Sequence, residues 1–295
     1  MRVLHLTDTH IGAELPVIGG PAGWSRAADH LAAMETALQP ALHQLVDLVV
    51  HSGDVFHRSR PGPAAMHAAA QLLTRVARRT PVVLMPGNHD RCGLARSLPL
   101  RTPGLHIYDQ PAVHRHGDLR LGVVPYCRTP ETWAAQAAAL DSPFVIAHQA
   151  FDGARVPGLT FRVGAQRDTL GPQHLPPRTR WVMCGHIHPR QVTRLAGAQI
   201  VQPGSTERTH FSEADQTKGY ALWDLGRQVR WRFVDLPARP MCTLRHRAQL
   251  TALQPGTLVR SHLPHDELAD RGLLVVDRPG ARPPRPASRQ TRLFA

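Results

Sequence analysis

Lysine is almost missing from this sequence: Lys218 is the only one, although lysine and arginine together number 35 against 22 acids. The formal charge of +13 is therefore arginine charge. Such a balance suits an anionic partner such as nucleic acid, but a GC-rich genome would supply the same arginines, so charge is supporting evidence only. Cysteine is scarce as well. Cys92, Cys127, Cys184 and Cys242 are dispersed without a C-x-x-C pair, which fits reduced thiols better than a disulfide framework or structural zinc. No apolar run approaches the ~20 residues that span a bilayer, and the first residues lack the charged-then-apolar pattern of a signal peptide. The expected location is cytoplasmic, with no membrane partner.

What is present is a repeated pattern of short apolar runs that end in polar, ligand-type residues. Val82-Val83-Leu84-Met85 breaks at Pro86-Gly87 into Asn88-His89-Asp90. Alone, this reads as a turn whose Asn and Asp hydrogen-bond their own backbone. The pattern recurs, however: Val3–Leu6 runs into Thr7-Asp8-Thr9-His10, and Leu48–Val50 into His51-Ser52-Gly53-Asp54. Phe144–Ala147 then runs into His148, and Trp181–Cys184 into Gly185-His186-Ile187-His188. If these runs are buried parallel strands, one sheet would gather Asp, His and Asn side chains along its carboxyl edge, where open α/β sheets bind ligands. That is the inventory of a metal site.

In this order the five blocks D-x-H, G-D, G-N-H-D, H and G-H-x-H resemble the calcineurin-like metallophosphoesterases, over residues 1 to 236. Gly53-Asp54-Val55-Phe56-His57 followed by Ser59-Arg60-Pro61 narrows the resemblance to the SbcD-type nucleases of double-strand-break repair. Pro203-Gly204-Ser205-Thr206-Glu207-Arg208 and Lys218-Gly219-Tyr220, with Phe211-Ser212-Glu213 between them, are similar to two further blocks of that group. The resemblance implies an α/β fold, a two-sheet mixed β-sandwich flanked by helices. It also implies that Asp8, His10 and His188 hold one metal ion, that Asn88, His148 and His186 hold a second, and that Asp54 bridges. His89 becomes the general acid and His57 a further catalytic imidazole, unless His57 merely caps the next helix or faces solvent. Gly204, Ser205 and Arg208 can offer donors and charge to substrate phosphates, or form a plain inter-strand turn.

Between the blocks, Ser25 to Asp47 reads as a helix with an apolar stripe of Leu31, Met34, Leu38, Leu42 and Leu45, and Ala64 to Thr80 as a second helix that completes a βαβ crossover. Residues 12 to 24, rich in Gly and Pro, read as a loop. Leu105 to Val124 breaks into short strands around a Gly117-Asp118 turn, Glu131 to Leu140 is helical, and Tyr220–Leu225 and Val229–Leu236 close the catalytic domain, expected over 1–236. Residues 237–278 leave room for a shortened cap-like segment with strands near Met241–Leu244, Thr257–Leu263 and Leu273–Val276. Residues 279–295 carry Arg282, Arg285, Arg289 and Arg292 among prolines, a composition that reads as a disordered tail, either gripping DNA or inertly solvated.

A mixed nitrogen and oxygen donor set without thiolate favours two divalent cations, manganese foremost, with iron or zinc as the other choices. The expected function is two-metal hydrolysis of DNA phosphodiester bonds by an exonuclease or endonuclease. The alternatives are a small-molecule phosphoesterase acting on cyclic nucleotides or phosphomonoesters, and a non-catalytic DNA-binding subunit. Expected partners are DNA and, by resemblance, an SMC-like coiled-coil ATPase, although the region that docks one is shortened here; the oligomeric state stays open, a homodimer included.

Overall fold

A computed structural model describes residues 1–18, 24–91, 94–98, 102–155, 168–261, 263 and 265–276. Cys92 and the tail at 279–295 lie outside the described residues. The chain divides into two compact units, one of residues 1–14 and 24–239, the other of 15–23 and 240–295.

The larger unit holds two six-stranded mixed sheets. From edge to edge the first runs Val229–Leu236, Lys218–Leu225, Arg2–Leu6, Leu48–His51, Val82–Leu84 and Leu105–Ile107. Its last four strands are parallel and its first two antiparallel. The second runs Gln191–Leu195, Ala198–Gln202, Trp181–Gly185, Phe144–His148, Leu119–Val124 and Ala112–His116, with four parallel strands in the middle. The five runs singled out in the sequence therefore do not share one sheet. Three end in the first sheet and two in the second, because a Val-rich strand buried on both faces looks the same whichever sheet holds it.

Side-chain alternation along each strand builds three apolar layers. Leu4, Leu6, Val49 and Leu84 face the helices Arg26–Ala37 and Pro63–Ala77 with Met34, Leu73 and Phe56. Val3, Val50, Val83, Met85, Ile146, Met183 and Trp223 fill the space between the sheets. Val145, Ala147, Val182 and Cys184 pack on the far side beneath Trp133 of the helix Pro130–Leu140. Ser25 starts the first helix by accepting a hydrogen bond from Ala28 N at 3.2 Å. That helix stops at Ala37, short of the expected Asp47, and Gln39–Leu42 forms a separate turn. Pro40 explains the break, since it has no N–H and its ring crowds the carbonyl four residues back. Leu45, the last member of the expected stripe, is consequently exposed.

In the smaller unit Met241–Leu244, Leu258–Ser261 and Leu274–Val276 form a parallel sheet, and Val17–Ile18 adds an antiparallel edge strand. That edge strand arises inside the segment read as a loop. Leu244, Leu250, Val259, Leu268 and Val275 make its core. Among the described residues no helix is long and apolar enough to cross a membrane.

Candidate metal centre

Every donor suggested by the sequence sits at or just beyond the carboxyl end of a parallel strand. From the first sheet, Asp8 and His10 follow Arg2–Leu6, Asp54 follows Leu48–His51, and Asn88 and His89 follow Val82–Leu84. From the second, His148 ends Phe144–His148, and His186 and His188 follow Trp181–Gly185. The carboxyl edges of both sheets meet here.

Asp54 lies in the middle. Its Oδ2 is 3.2 Å from His148 Nε2 and 3.9 Å from His10 Nε2. On one side, His188 Nε2 is 3.0 Å from His10 Nε2 and 3.8 Å from Asp8 Oδ1. On the other, Asn88 Oδ1 is 3.1 Å from His148 Nε2 and 2.8 Å from His186 Nδ1. Two imidazole nitrogens 3.0 Å apart need a proton or a shared cation between their lone pairs. The triads Asp8–His10–His188 and Asp8–Asp54–His148 each bring one donor atom per residue within 4.8 Å of the others. Carboxylate, imidazole and amide donors at such spacing fit a pair of divalent cations.

The backbone is bent to present them. Asp8, His10, Asp54 and His186 have φ of 51°, 46°, 56° and 82°, in the left-handed region that non-glycine residues avoid at a cost of about 1–3 kcal/mol each. Cross-loop bonds hold these corners, among them Asp8 N–H to the Gly53 carbonyl at 3.0 Å and His10 N–H to the Asp54 carbonyl at 3.1 Å. Buried Asp90 pins the loops together, accepting from Val55 N (2.9 Å), Phe56 N (2.8 Å) and Gly87 N (3.2 Å). Burial, followed by the neighbouring charge of Asp54, lifts the Asp90 carboxyl to about 7.

Burial disfavours every charge in the pocket, so the partners decide the outcome. For His148 burial is outweighed by the Asp54 and Asp8 carboxylates, which raise it to about 9. Asp54 is correspondingly held well below the usual carboxylate range by His148, against its own burial. His10 falls well below its ordinary value through burial and the His188 ring, and His186 drops to about 4 through burial and His148.

His89 and His57 stand together at the rim. The rings of His10 and His89 are 4.9 Å apart, those of His57 and His89 5.3 Å, and those of His10 and His57 5.4 Å. His89 is aimed by two bonds: its N–H reaches Asp54 Oδ1 at 2.8 Å, and its Nδ1 meets the His57 carbonyl at 2.8 Å. Nδ1–H therefore donates to that carbonyl, leaving Nε2 as the nitrogen that exchanges protons.

Ser205 and Arg208, expected either to meet substrate phosphates or to form a plain inter-strand turn, are engaged within the protein. Ser205 is fully buried, receives Lys218 Nζ at 2.8 Å and donates to the Glu207 carbonyl at 2.8 Å. Arg208 spends its guanidinium on the backbone carbonyls of Glu213, Gln216, Ala238 and Arg239. Both hold their own loop. Gly204 lets that loop press on the His188 strand end: it has φ of 81°, and a Cβ there would collide with the His188 carbonyl and sit 3.0 Å from Arg190 N.

Two further residues contact the candidate donors without having been singled out in the sequence. Glu213 Oε1 accepts from His188 Nδ1 at 2.8 Å; its place between the Pro203–Arg208 and Lys218–Tyr220 blocks was the one available signal. The Tyr126 ring lies 5.8 Å from His186 and its hydroxyl donates to Asp168 at 3.0 Å. Nothing local in the sequence marks it.

The profile of the calcineurin-like phosphoesterases matches residues 1–190. The SbcD component of the SbcCD nuclease of Rhodobacter capsulatus is 29% identical, over 96% of this chain and 78% of its own length. The DNA double-strand break repair protein Mre11 of Methanopyrus kandleri is 25% identical, over 80% of this chain and 57% of its own, so the chain spans little more than half of that relative. The corresponding SbcD component from Bacillus subtilis is likewise 25% identical, over 79% of this chain and 69% of its own length. The matched stretch takes in every loop that carries a candidate donor, and the chain belongs to the calcineurin-like phosphoesterases, a family built on a dinuclear metal site.

Proposed function

We propose that the chain is a two-metal phosphodiesterase that cleaves DNA, an SbcD-like exonuclease or endonuclease. The observation that carries the reading is the position of Asp54 Oδ2 between His148 and His10, with a complete donor set on either side. Asp8, His10 and His188 would hold one ion, Asn88, His148 and His186 the other, and Asp54 would serve both. Bound there, two divalent cations supply Lewis acidity to a phosphodiester oxygen and a water of lowered pKa as nucleophile.

The chain's own residues do the rest. Asp54, Asp8 and His148 hold the donor geometry through their buried contacts, and Asp90 keeps the Asn88 loop in register with the Asp54 loop. His89, with its Nδ1–H spent on the His57 carbonyl and a second proton on Nε2, delivers the Nε2 proton to the departing 3′ or 5′ oxygen and is left as the neutral ring. His57, beside it at the rim, contacts a nucleotide phosphate or sugar. DNA as substrate draws on the relatives' names and on the net charge of +13. The Rhodobacter relative is named as one component of a nuclease, and a second component for this chain belongs to the same proposal.

The test is cleavage of labelled linear duplex and single-stranded DNA with manganese, beside hydrolysis of 2′,3′-cyclic AMP, across a salt series. DNA should be degraded, and log K for binding should fall with log salt by roughly 0.7 to 0.9 per phosphate neutralised, several units in all. Absence of DNA cleavage at low salt together with brisk cyclic-nucleotide turnover would reject the nuclease in favour of a small-molecule esterase.

A further inference from the structure

The chain's one lysine is not on its surface. Lys218 is fully buried, and its Nζ donates to Glu213 Oε2 at 2.7 Å, Ser205 Oγ at 2.8 Å and Gln216 Oε1 at 3.1 Å. An ammonium has three protons, and here each finds an acceptor. Glu213 is matched as fully on its other side: Oε1 accepts from His188 Nδ1 at 2.8 Å and from the Thr209 hydroxyl at 2.8 Å, while Thr209 N–H reaches Oε2 at 3.0 Å. One carboxylate thus spans an imidazole and an ammonium.

Stability alone is a poor reason for this arrangement. Burying two charges costs several kcal/mol each before their attraction repays it, and an apolar pair of similar volume commonly serves a core as well or better. What distinguishes this pair is its neighbour. His188 links the couple to the donor cluster, and its Nε2 lies 3.0 Å from His10 Nε2 and 3.8 Å from Asp8 Oδ1. The Ser205 end is anchored too, since Ser205 N–H bonds the His188 carbonyl at 3.1 Å.

We propose that Glu213 and Lys218 are positioning residues for His188: Glu213 fixes the proton on Nδ1 and the plane of the ring, so that the Nε2 lone pair faces His10 and Asp8, and Lys218 holds Glu213 in place and balances its charge. This rests on the two-metal reading and deepens it, by assigning the affinity of one of the two positions to a couple that touches neither ion. Metal-binding histidines commonly depend on such a partner for their free N–H, and losing it lowers affinity about 10- to 100-fold.

The test uses Glu213→Gln, Lys218→Met, Lys218→Arg and the Glu213→Gln/Lys218→Met double variant in the full chain. Manganese affinity is read by titration calorimetry, pairing of the two ions by electron paramagnetic resonance, and folding by melting temperature. Glu213→Gln and Lys218→Met should each lose affinity about 10- to 100-fold at one position only, so that two equivalents of manganese, at a concentration that fills both positions of the unaltered protein and gives a coupled pair, leave mainly isolated ions in these variants. Lys218→Arg should recover part of what Lys218→Met loses. Glu213→Gln and Lys218→Met should also melt early, because each leaves an unpaired buried charge, whereas the double variant removes both charges and should melt closer to the unaltered protein. Its affinity should stay low. If affinity instead recovers in step with melting temperature, or if the single variants bind two ions as the unaltered protein does, the positioning role is overturned. An unaltered protein that binds no manganese would overturn the two-metal reading itself, and the proposal with it.

Discussion

Replacing Gly87 by alanine tests how tightly the loops enclose the donors. A Cβ built on Gly87 collides with Asp54 Oδ1 and lies 2.6 Å from Asp54 N and 2.7 Å from His148 Nε2. Comfortable contact needs about 3.5 Å, so the neighbours must retreat by roughly 1 Å. Neither can do so freely. The Asp54 backbone is fixed at φ 56° with its carbonyl bonded to His10 N–H, and the His148 ring is locked by Nδ1 to the Ser52 carbonyl at 2.8 Å. The displacement therefore falls on the Asp54 carboxylate and the His148 imidazole, at the heart of the donor cluster. Overpacking of this kind costs about 1–3 kcal/mol of stability, or roughly 2–12 °C in melting temperature for a domain of this size. A misplacement of about 1 Å at a reacting centre costs about 10²-fold in rate. Gly87→Ala should consequently remain folded while its manganese-dependent turnover of bis-p-nitrophenyl phosphate falls about a hundredfold and its bound metal drops below that of the unaltered protein. The assay pairs that turnover with a melting scan and elemental analysis. A folded variant with full metal and turnover within about threefold of the unaltered protein would refute the reasoning.

Asp54→Ala should abolish hydrolysis and lower metal content at both positions, which elemental analysis of the purified variant would reveal; two retained ions would remove Asp54 from the bridge. His89→Ala should keep its metal and lose about 10²- to 10⁴-fold against DNA, while bis-p-nitrophenyl phosphate, whose leaving group hardly needs a proton, suffers far less. His57→Ala should impair DNA cleavage more than cleavage of that small diester, as read from paired rate measurements. Stripping metal with a chelator should lower the melting temperature: a cation at about a hundred times its dissociation constant contributes about 2.7 kcal/mol per site, or roughly 5–10 °C at this size.

The convergence of the candidate donors was legible because each closes an apolar run, and a parallel strand's carboxyl end is where such a side chain becomes useful. His148 illustrates the case: four apolar residues, then the imidazole. The division of those runs between two sheets was not legible, since Val145 and Val49 are equally buried in either setting. Nor were the partners of Ser205 and Arg208. Their hydrogen bonds go to Lys218, Gln216 and Arg239, which only the folded chain brings near, and a hydroxyl or guanidinium in a Gly-containing loop looks the same whether it meets phosphate or carbonyl. The left-handed corners at Asp8, His10, Asp54 and His186 carry only a weak local signal, because Asp and His are enriched at such a backbone but do not mark it as glycine does. Leu45 leaves the apolar stripe for a simpler reason: Pro40 interrupts the helix on which the spacing depends.

The donors reach the centre from two separate plates, Asp8, Asp54 and Asn88 from one and His148, His186 and His188 from the other. A cation held by both is a rivet. Sliding one plate past the other by one strand residue, about 3.3 Å, would draw the two halves of each donor set beyond ligating distance. On the proposed reading, metal uptake would therefore be a gauge of alignment between the sheets. It should switch on during refolding only after both plates have formed and closed on each other, and it should vanish at the first shear that parts them, while either sheet on its own is still intact.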